Sequence, residues 1–106
     1  MSGSRTTIAD RDLLDNVHPG DILREDFLIG SEIPLEEVAE GAGIDLDALR
    51  ETVASRKDID AETDLRLARY FGMSEGFFLG LQIDHDLEEV RRREGAKLDR
   101  IVPRAA

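Results

Sequence analysis

Apolar residues recur along this chain at spacings of three and four rather than in alternation, which predicts helices throughout and no strand. The first clear run follows His18-Pro19-Gly20-Asp21, a segment suited to a helix start. Proline has no N–H to lose in a first turn, His18 is placed to cap, and Asp21 complements the positive helix end. Ile22, Leu23, Phe27 and Leu28 follow at helical spacing, and Gly30 stops the run. Pro34 opens a second helix with Glu36 and Glu37 in its first turn and Leu35, Val38, Ala39 and Ala42 as its apolar positions. Gly43 ends it, Ile44 is a hydrophobic pin, and Asp45 is a good cap for a third helix carrying Leu46, Leu49 and Val53 on one face.

Asp60 is available to cap a fourth helix from Ala61, with Leu65, Leu67, Ala68, Tyr70 and Phe71 on its apolar face before Gly72. Ser74 is the candidate cap of a fifth. That helix carries Phe77, Phe78, Leu81, Ile83, Leu87 and Val90 and runs on into Glu88-Glu89-Val90-Arg91-Arg92-Arg93. Residues 1–16 are polar, with Ile8, Leu13 and Leu14 as sparse apolar points, and are expected to form a mobile arm with a helical turn or two near 8–16. The expected organisation is this arm, one helical domain over 17–94, and a C-terminal tail over 95–106.

At 106 residues the chain has room for one core. Its five aromatic residues are Phe27, Tyr70, Phe71, Phe77 and Phe78, so the interior should be aliphatic with one aromatic cluster in the core or at a dimer interface. The absence of cysteine rules out disulfides and thiolate metal sites. The opening residues lack the apolar run of a signal peptide, and no stretch is long enough to span a membrane. A soluble cytoplasmic protein without a membrane partner is expected.

Enzymatic chemistry finds no foothold in the residues. There is no glycine-rich phosphate loop and no nucleophile beside a base. Asp84-His85-Asp86 has metal-binding residue types, but neighbours on a helix point about 100° apart and cannot converge on one ion. Neither catalysis, a cofactor nor a metal is expected.

The segment Val38-Ala39-Glu40-Gly41-Ala42-Gly43-Ile44, with Leu49 following, is the constellation that carries most. A helix-turn-helix needs a small residue where its helices cross, here Ala39, and a residue tolerant of the left-handed conformation between them, here Gly43. Val38, Ala42, Ile44 and Leu49 would lock the pair onto the core. The same spacing occurs in helix pairs that never touch DNA, so on its own it leaves both readings open.

Around this unit the chain resembles the HigA-type antitoxins of the lambda-repressor-like (XRE) helix-turn-helix group. His18-Pro19-Gly20-Asp21-Ile22-Leu23-Arg24-Glu25-Asp26-Phe27-Leu28 is similar to that family's opening. Asp60-Ala61-Glu62-Thr63-Asp64-Leu65-Arg66-Leu67-Ala68-Arg69-Tyr70-Phe71-Gly72 is similar to its next helix. Ser74-Glu75-Gly76-Phe77-Phe78-Leu79-Gly80-Leu81-Gln82, followed by Asp86-Leu87-Glu88, is similar to its last. The runs keep their relative spacing over roughly residues 17–90. The resemblance implies an all-α, five-helix domain with an extended C-terminal helix. It also implies a homodimer, binding to double-stranded operator DNA near its own promoter, and neutralisation of a cognate HigB-like ribonuclease toxin. Leu79, Ile83 and Leu87 on the last helix are the candidate dimer contacts.

The recognition surface departs from the family's pattern. Asp45, Leu46, Asp47 and Ala48 stand where small polar or basic residues usually begin the recognition helix. Leu35 stands where glutamine is frequent, and Ala54-Ser55 where Asn-Gly often follows. The candidate DNA-contacting residues are Asp47, Arg50, Glu51, Ser55, Arg56 and Lys57. Arg50 could pair with a guanine edge, Glu51 could accept from a cytosine amino group, and Arg56 and Lys57 suit phosphates. Asp47 is the awkward member, because an unpaired carboxylate repels phosphate. The plain alternative is a solvated surface in which these bases pair with nearby acids.

Charge sharpens that alternative. The formal net charge is −10, and residues 31–64 hold eleven acids against three bases. Only residues 88–104 are basic, with six bases against four acids. DNA binding depends on local rather than total charge. A module of the same fold that binds protein or dimerises without DNA affinity therefore stands beside the repressor reading. Arg91, Arg92 and Arg93 point around their helix and suit a solvated face, or a contact to toxin or nucleic acid.

Overall fold

Pro19 occupies the first turn of the first helix, and the extended His18 before it accepts the Gly20 N–H at its Nδ1, 2.9 Å away. In a computed structural model, which describes residues 15–105, five helices follow one another and no strand occurs among the described residues. The expected arm over 1–16 lies almost wholly outside them.

Helix α1 comprises Pro19–Ile22 and continues without a break into a π-helical stretch, Leu23–Ile29. The wider turn brings Leu23 and Leu28, five positions apart, both into the core. Residue spacing alone predicts an ordinary α-helix here, because Leu23 and Phe27 also fit that period. Helix α2 is Leu35–Ala42, with Pro34 as its cap residue rather than its first turn. It ends at Gly43, whose φ of 69° is left-handed, and the Ile44 N–H closes the end on the Ala39 carbonyl at 2.9 Å. Helix α3, Leu46–Val53, is capped by the Asp45 carboxylate, which accepts the Ala48 N–H at 3.0 Å. Helix α4, Ala61–Phe71, is capped in the same way by Asp60 and ends at left-handed Gly72.

Helix α5 spans Phe77–Leu98. It passes beyond residue 94, so the first four residues assigned to a C-terminal tail are helical. Its start is also built differently from expectation. Ser74 does not cap it with its side chain. The carboxylate of Asp64 on α4 does, accepting the Gly76 N–H at 2.7 Å and the Leu79 N–H at 2.8 Å. Asp64 is buried, with Leu67 and Ala68, on the inner face of α4, whereas Leu65, assigned to that face from sequence, is exposed. The physical reason is the unpaired N–H groups of a helix start that abuts α4. A short carboxylate satisfies them and complements the helix dipole, which no leucine can do.

The core consists of Leu23, Leu28, Val38, Ala39, Leu49, Ile59, Leu67, Ala68 and Phe78. Each of the five helices contributes, so burying this set holds α2 and α3 against the rest. Phe27 joins the aromatic cluster within the chain, with ring centroids 5.0 Å from Phe71 and 5.1 Å from Phe78. Gln82 is buried too: its Oε1 accepts the Ile59 N–H at 2.8 Å, and its amide donates to Asp86. That bond ties the loop after α3 to α5.

Candidate nucleic-acid interface

Two short helices cross tightly only if small residues and a left-handed turn allow it, and α2 and α3 have both. Val38 and Ala39 are buried on α2, Gly43 makes the turn, Ile44 is half-buried beneath it, and Leu49 is fully buried on α3. These five are the residues assigned to the helix-turn-helix framework. With Leu49 and Thr52 turned inward, α3 presents Asp47 and Arg50 outward and leaves Glu51 half-exposed. Arg56 and Lys57 follow on the exposed loop. Five of the six candidate contact residues are thus accessible.

Ser55 is the sixth, and its hydroxyl is directed inward. It donates to Asp21 Oδ1 at 2.8 Å, from a residue held at a left-handed φ of 63°. This is the place where the resembled family often carries glycine, which suits such a φ. Arg24 of α1 completes the arrangement, donating to the Val53 carbonyl at 2.9 Å and to Asp21 at 3.1 Å. A helix C-terminus carries unpaired carbonyls and partial negative charge, so a guanidinium there is well placed. Beside it, Gly20 packs so closely that a Cβ would collide with the Thr52 carbonyl oxygen. The C-terminal end of α3 is therefore clamped to α1 by Gly20, Asp21, Arg24 and Ser55.

The clamp was not read from sequence as a functional feature. Its one local signal is the segment from His18 to Arg24, whose glycine has no conformational need for positive φ and is required by contact instead.

The arginines on the exposed surface already have partners. Arg50 lies 3.1 Å from Asp47 and 3.9 Å from Glu36 of α2. Arg56 grips Glu51 through two nitrogens, with a shortest distance of 2.7 Å. Hydrogen bonding from Arg56 holds the Glu51 carboxyl below its ordinary range and raises the guanidinium in turn. Lys57 has no carboxylate within 4 Å among the described residues. These pairs are solvent-exposed and individually weak, so a phosphate or a base edge can compete for either arginine. Glu36, absent from the sequence-derived set, becomes part of the surface through Arg50. No three His, Asp or Glu side chains among the described residues gather as metal ligands. No helix among them is long and apolar enough to cross a membrane.

No protein-family model matches the chain. Over 87 residues it is 31% identical to virulence-associated protein I of Dichelobacter nodosus, spanning 82% of this chain and 80% of that protein. Its fold matches that of an antitoxin HigA of Pseudomonas aeruginosa, solved with the higBA promoter, with a TM-score of 0.76. Identity there is 28%, covering 86% of this chain and 100% of the other. An addiction module antidote protein of the HigA family from Coxiella burnetii gives a TM-score of 0.77 at 27% identity, again over 86% and 100% of the two chains. With α2 and α3 set as a helix-turn-helix inside five helices, and with these likenesses covering more than four fifths of the chain, the chain belongs to the family of the HigA-type helix-turn-helix antitoxins.

Proposed function

We propose that this protein is a dimeric transcriptional repressor of the antitoxin type. It binds operator DNA near its own promoter through α3 and neutralises a HigB-like ribonuclease toxin, acting in the cytoplasm by binding rather than by catalysis. The observation that carries this reading is the clamped α3, which presents Arg50 outward and Glu51 half-exposed beside Arg56, with Lys57 exposed on the loop that follows. Rigid docking of that helix lowers the ordering cost of recognition. The fold's likeness to an antitoxin solved with promoter DNA supports it further.

In this reading, two copies of α3 enter successive major grooves about 34 Å apart. Arg50 leaves Asp47 for a guanine edge, and Arg56 and Lys57 take phosphates. Fluorescence polarisation with upstream DNA across a salt series is the test. Binding that weakens steeply with salt, and that falls about 5- to 150-fold on Arg50→Ala, supports the repressor.

The acidic partners of Arg50 and Arg56 favour a second reading, a protein-binding module of the same fold without DNA affinity. No binding to that DNA at low salt, with dimerisation intact, would remove the repressor and favour the module.

A further inference from the structure

At the C-terminal end of α3 two residues are joined twice, once by backbone and once by side chain. Ser55 takes its left-handed φ there, and the Arg56 N–H turns back onto the Glu51 carbonyl at 2.9 Å, a bond that closes helix ends of this type. The side chains meet as well. Arg56 grips the Glu51 carboxylate with Nε at 3.1 Å from Oε1 and Nη2 at 2.7 Å from Oε2. An exposed ion pair is usually weak because two long side chains must be ordered to make it. Here the backbone bond has already brought the two residues together, and the guanidinium fork fixes the plane of the carboxylate. The Ser55 hydroxyl, bonded to Asp21, anchors the turn that makes this possible. Arg50 is held less firmly, with a hydrogen bond to Asp47 through a single nitrogen.

We infer that Arg56 is a positioning residue, which holds Glu51 as the acceptor for the amino group of a cytosine in the major groove. The inference rests on the DNA-binding reading above and names the base that this site selects. At about 100° per residue, Asp47 lies between Arg50 and Glu51 on the side of α3 away from the buried Leu49 and Thr52. A lone carboxylate there is repelled by phosphate, as Asp47 is once Arg50 leaves it. Glu51 brings its own counter-charge, so the pair approaches DNA without net charge. An ionised carboxylate only accepts, with about four acceptor positions on its two oxygens. Arg56 takes one bond to Oε1 and leaves that oxygen open to a further donor. Arg56 Nη1 makes no other bond among the described residues and is free for a phosphate. Cytosine presents an amino donor at its major-groove edge, whereas thymine and guanine present repelling oxygen acceptors. Adenine has an amino group too, but sets the acceptor N7 beside it.

Selection from a pool of randomised duplexes at low salt, with sequencing of the bound fraction, reads the preferred bases. The parent chain is expected to enrich cytosine at one position of each half-site. Polarisation with that duplex and with its thymine-substituted form then gives an affinity ratio, expected at about 5- to 150-fold. Glu51→Ala should bring the ratio close to unity and leave preferences at other positions in place. Arg56→Lys keeps a cation for phosphate but lacks the fork, so the ratio should fall several-fold while the salt slope stays the same. Helicity and melting of each variant verify that it is folded. A ratio unchanged by Glu51→Ala overturns the cytosine contact. Affinity that changes equally for both duplexes on Arg56→Lys, or not at all, overturns the positioning role. Bound duplexes without an enriched cytosine overturn the inference and leave the DNA-binding reading standing. No enrichment at all, with dimerisation intact, removes that reading and the inference with it.

Discussion

Gly20 meets the carbonyl of Thr52 at a separation that leaves no room for a Cβ, so the first turn of α1 rests directly on the last turn of α3. The contact lies on the far side of α3 from Arg50 and sets how that helix is held. Alanine at position 20 must push the two elements apart. Gly20→Ala is expected to cost about 1–3 kcal/mol or somewhat more, as overpacking does. Thermal melting at fixed protein concentration should show a drop of several degrees or more per kcal/mol. A melting point equal to that of the parent would mean the contact is not tight in solution.

Asp64 offers a second measurement. It is the buried acceptor for two N–H groups at the start of α5. Asp64→Ala leaves both donors without their partner in a part-buried site and is expected to destabilise by about 1–3 kcal/mol. Asp64→Asn, which keeps an acceptor oxygen, should lose less. Urea titration ranks the three proteins, and equal losses for the two variants would contradict the capping role.

Acid sensitivity follows from Asp60. The backbone N–H of Thr63 holds its carboxyl below the ordinary range in the folded chain. A group whose folded value is depressed contributes stability above its unfolded value and loses it as pH falls through the folded one. Asp60→Ala should therefore cost about 1 kcal/mol near neutral pH, as lost N-caps do. The gap to the parent should narrow below about pH 4 and close once the parent's carboxyl is protonated. Paired urea titrations at several pH values check this; a gap that widens on acidification has the wrong sign.

On the candidate DNA surface, Asp47 both occupies Arg50 and would face phosphate. Asp47→Asn keeps the side chain's shape and removes its charge. If α3 enters DNA, affinity for upstream DNA at low salt should rise by about 5- to 10-fold, roughly the effect of one removed like charge. Polarisation measurements detect this directly. A loss of affinity would instead show that the carboxylate reads a cytosine amino group.

Much of the fold was legible in the residues. Asp45, Asp60, Gly43 and Gly72 mark helix ends through bonds and dihedrals spanning a few residues, so local sequence suffices to place them. The helix-turn-helix framework was readable for the same reason, since Ala39, Gly43 and Leu49 sit within one short segment. Asp47, Arg50 and Glu51 also came out accessible, because helical period sets which positions of α3 oppose Leu49, while Arg56 and Lys57 are exposed on the loop that follows.

What sequence by itself determined, then, is the number of helices, their order, where most begin and end, and which face of α3 is turned away from the core. Tertiary structure decided the rest: that Asp64 and not Leu65 is buried, that Ser55 turns toward Asp21, that Gly20 is a contact and not a turn, and that Glu36 of α2 joins Arg50. The reason is the same in each case. A cap or a helical period depends on neighbours along the chain, whereas a buried carboxylate or a missing Cβ takes its meaning from atoms that only folding brings within reach.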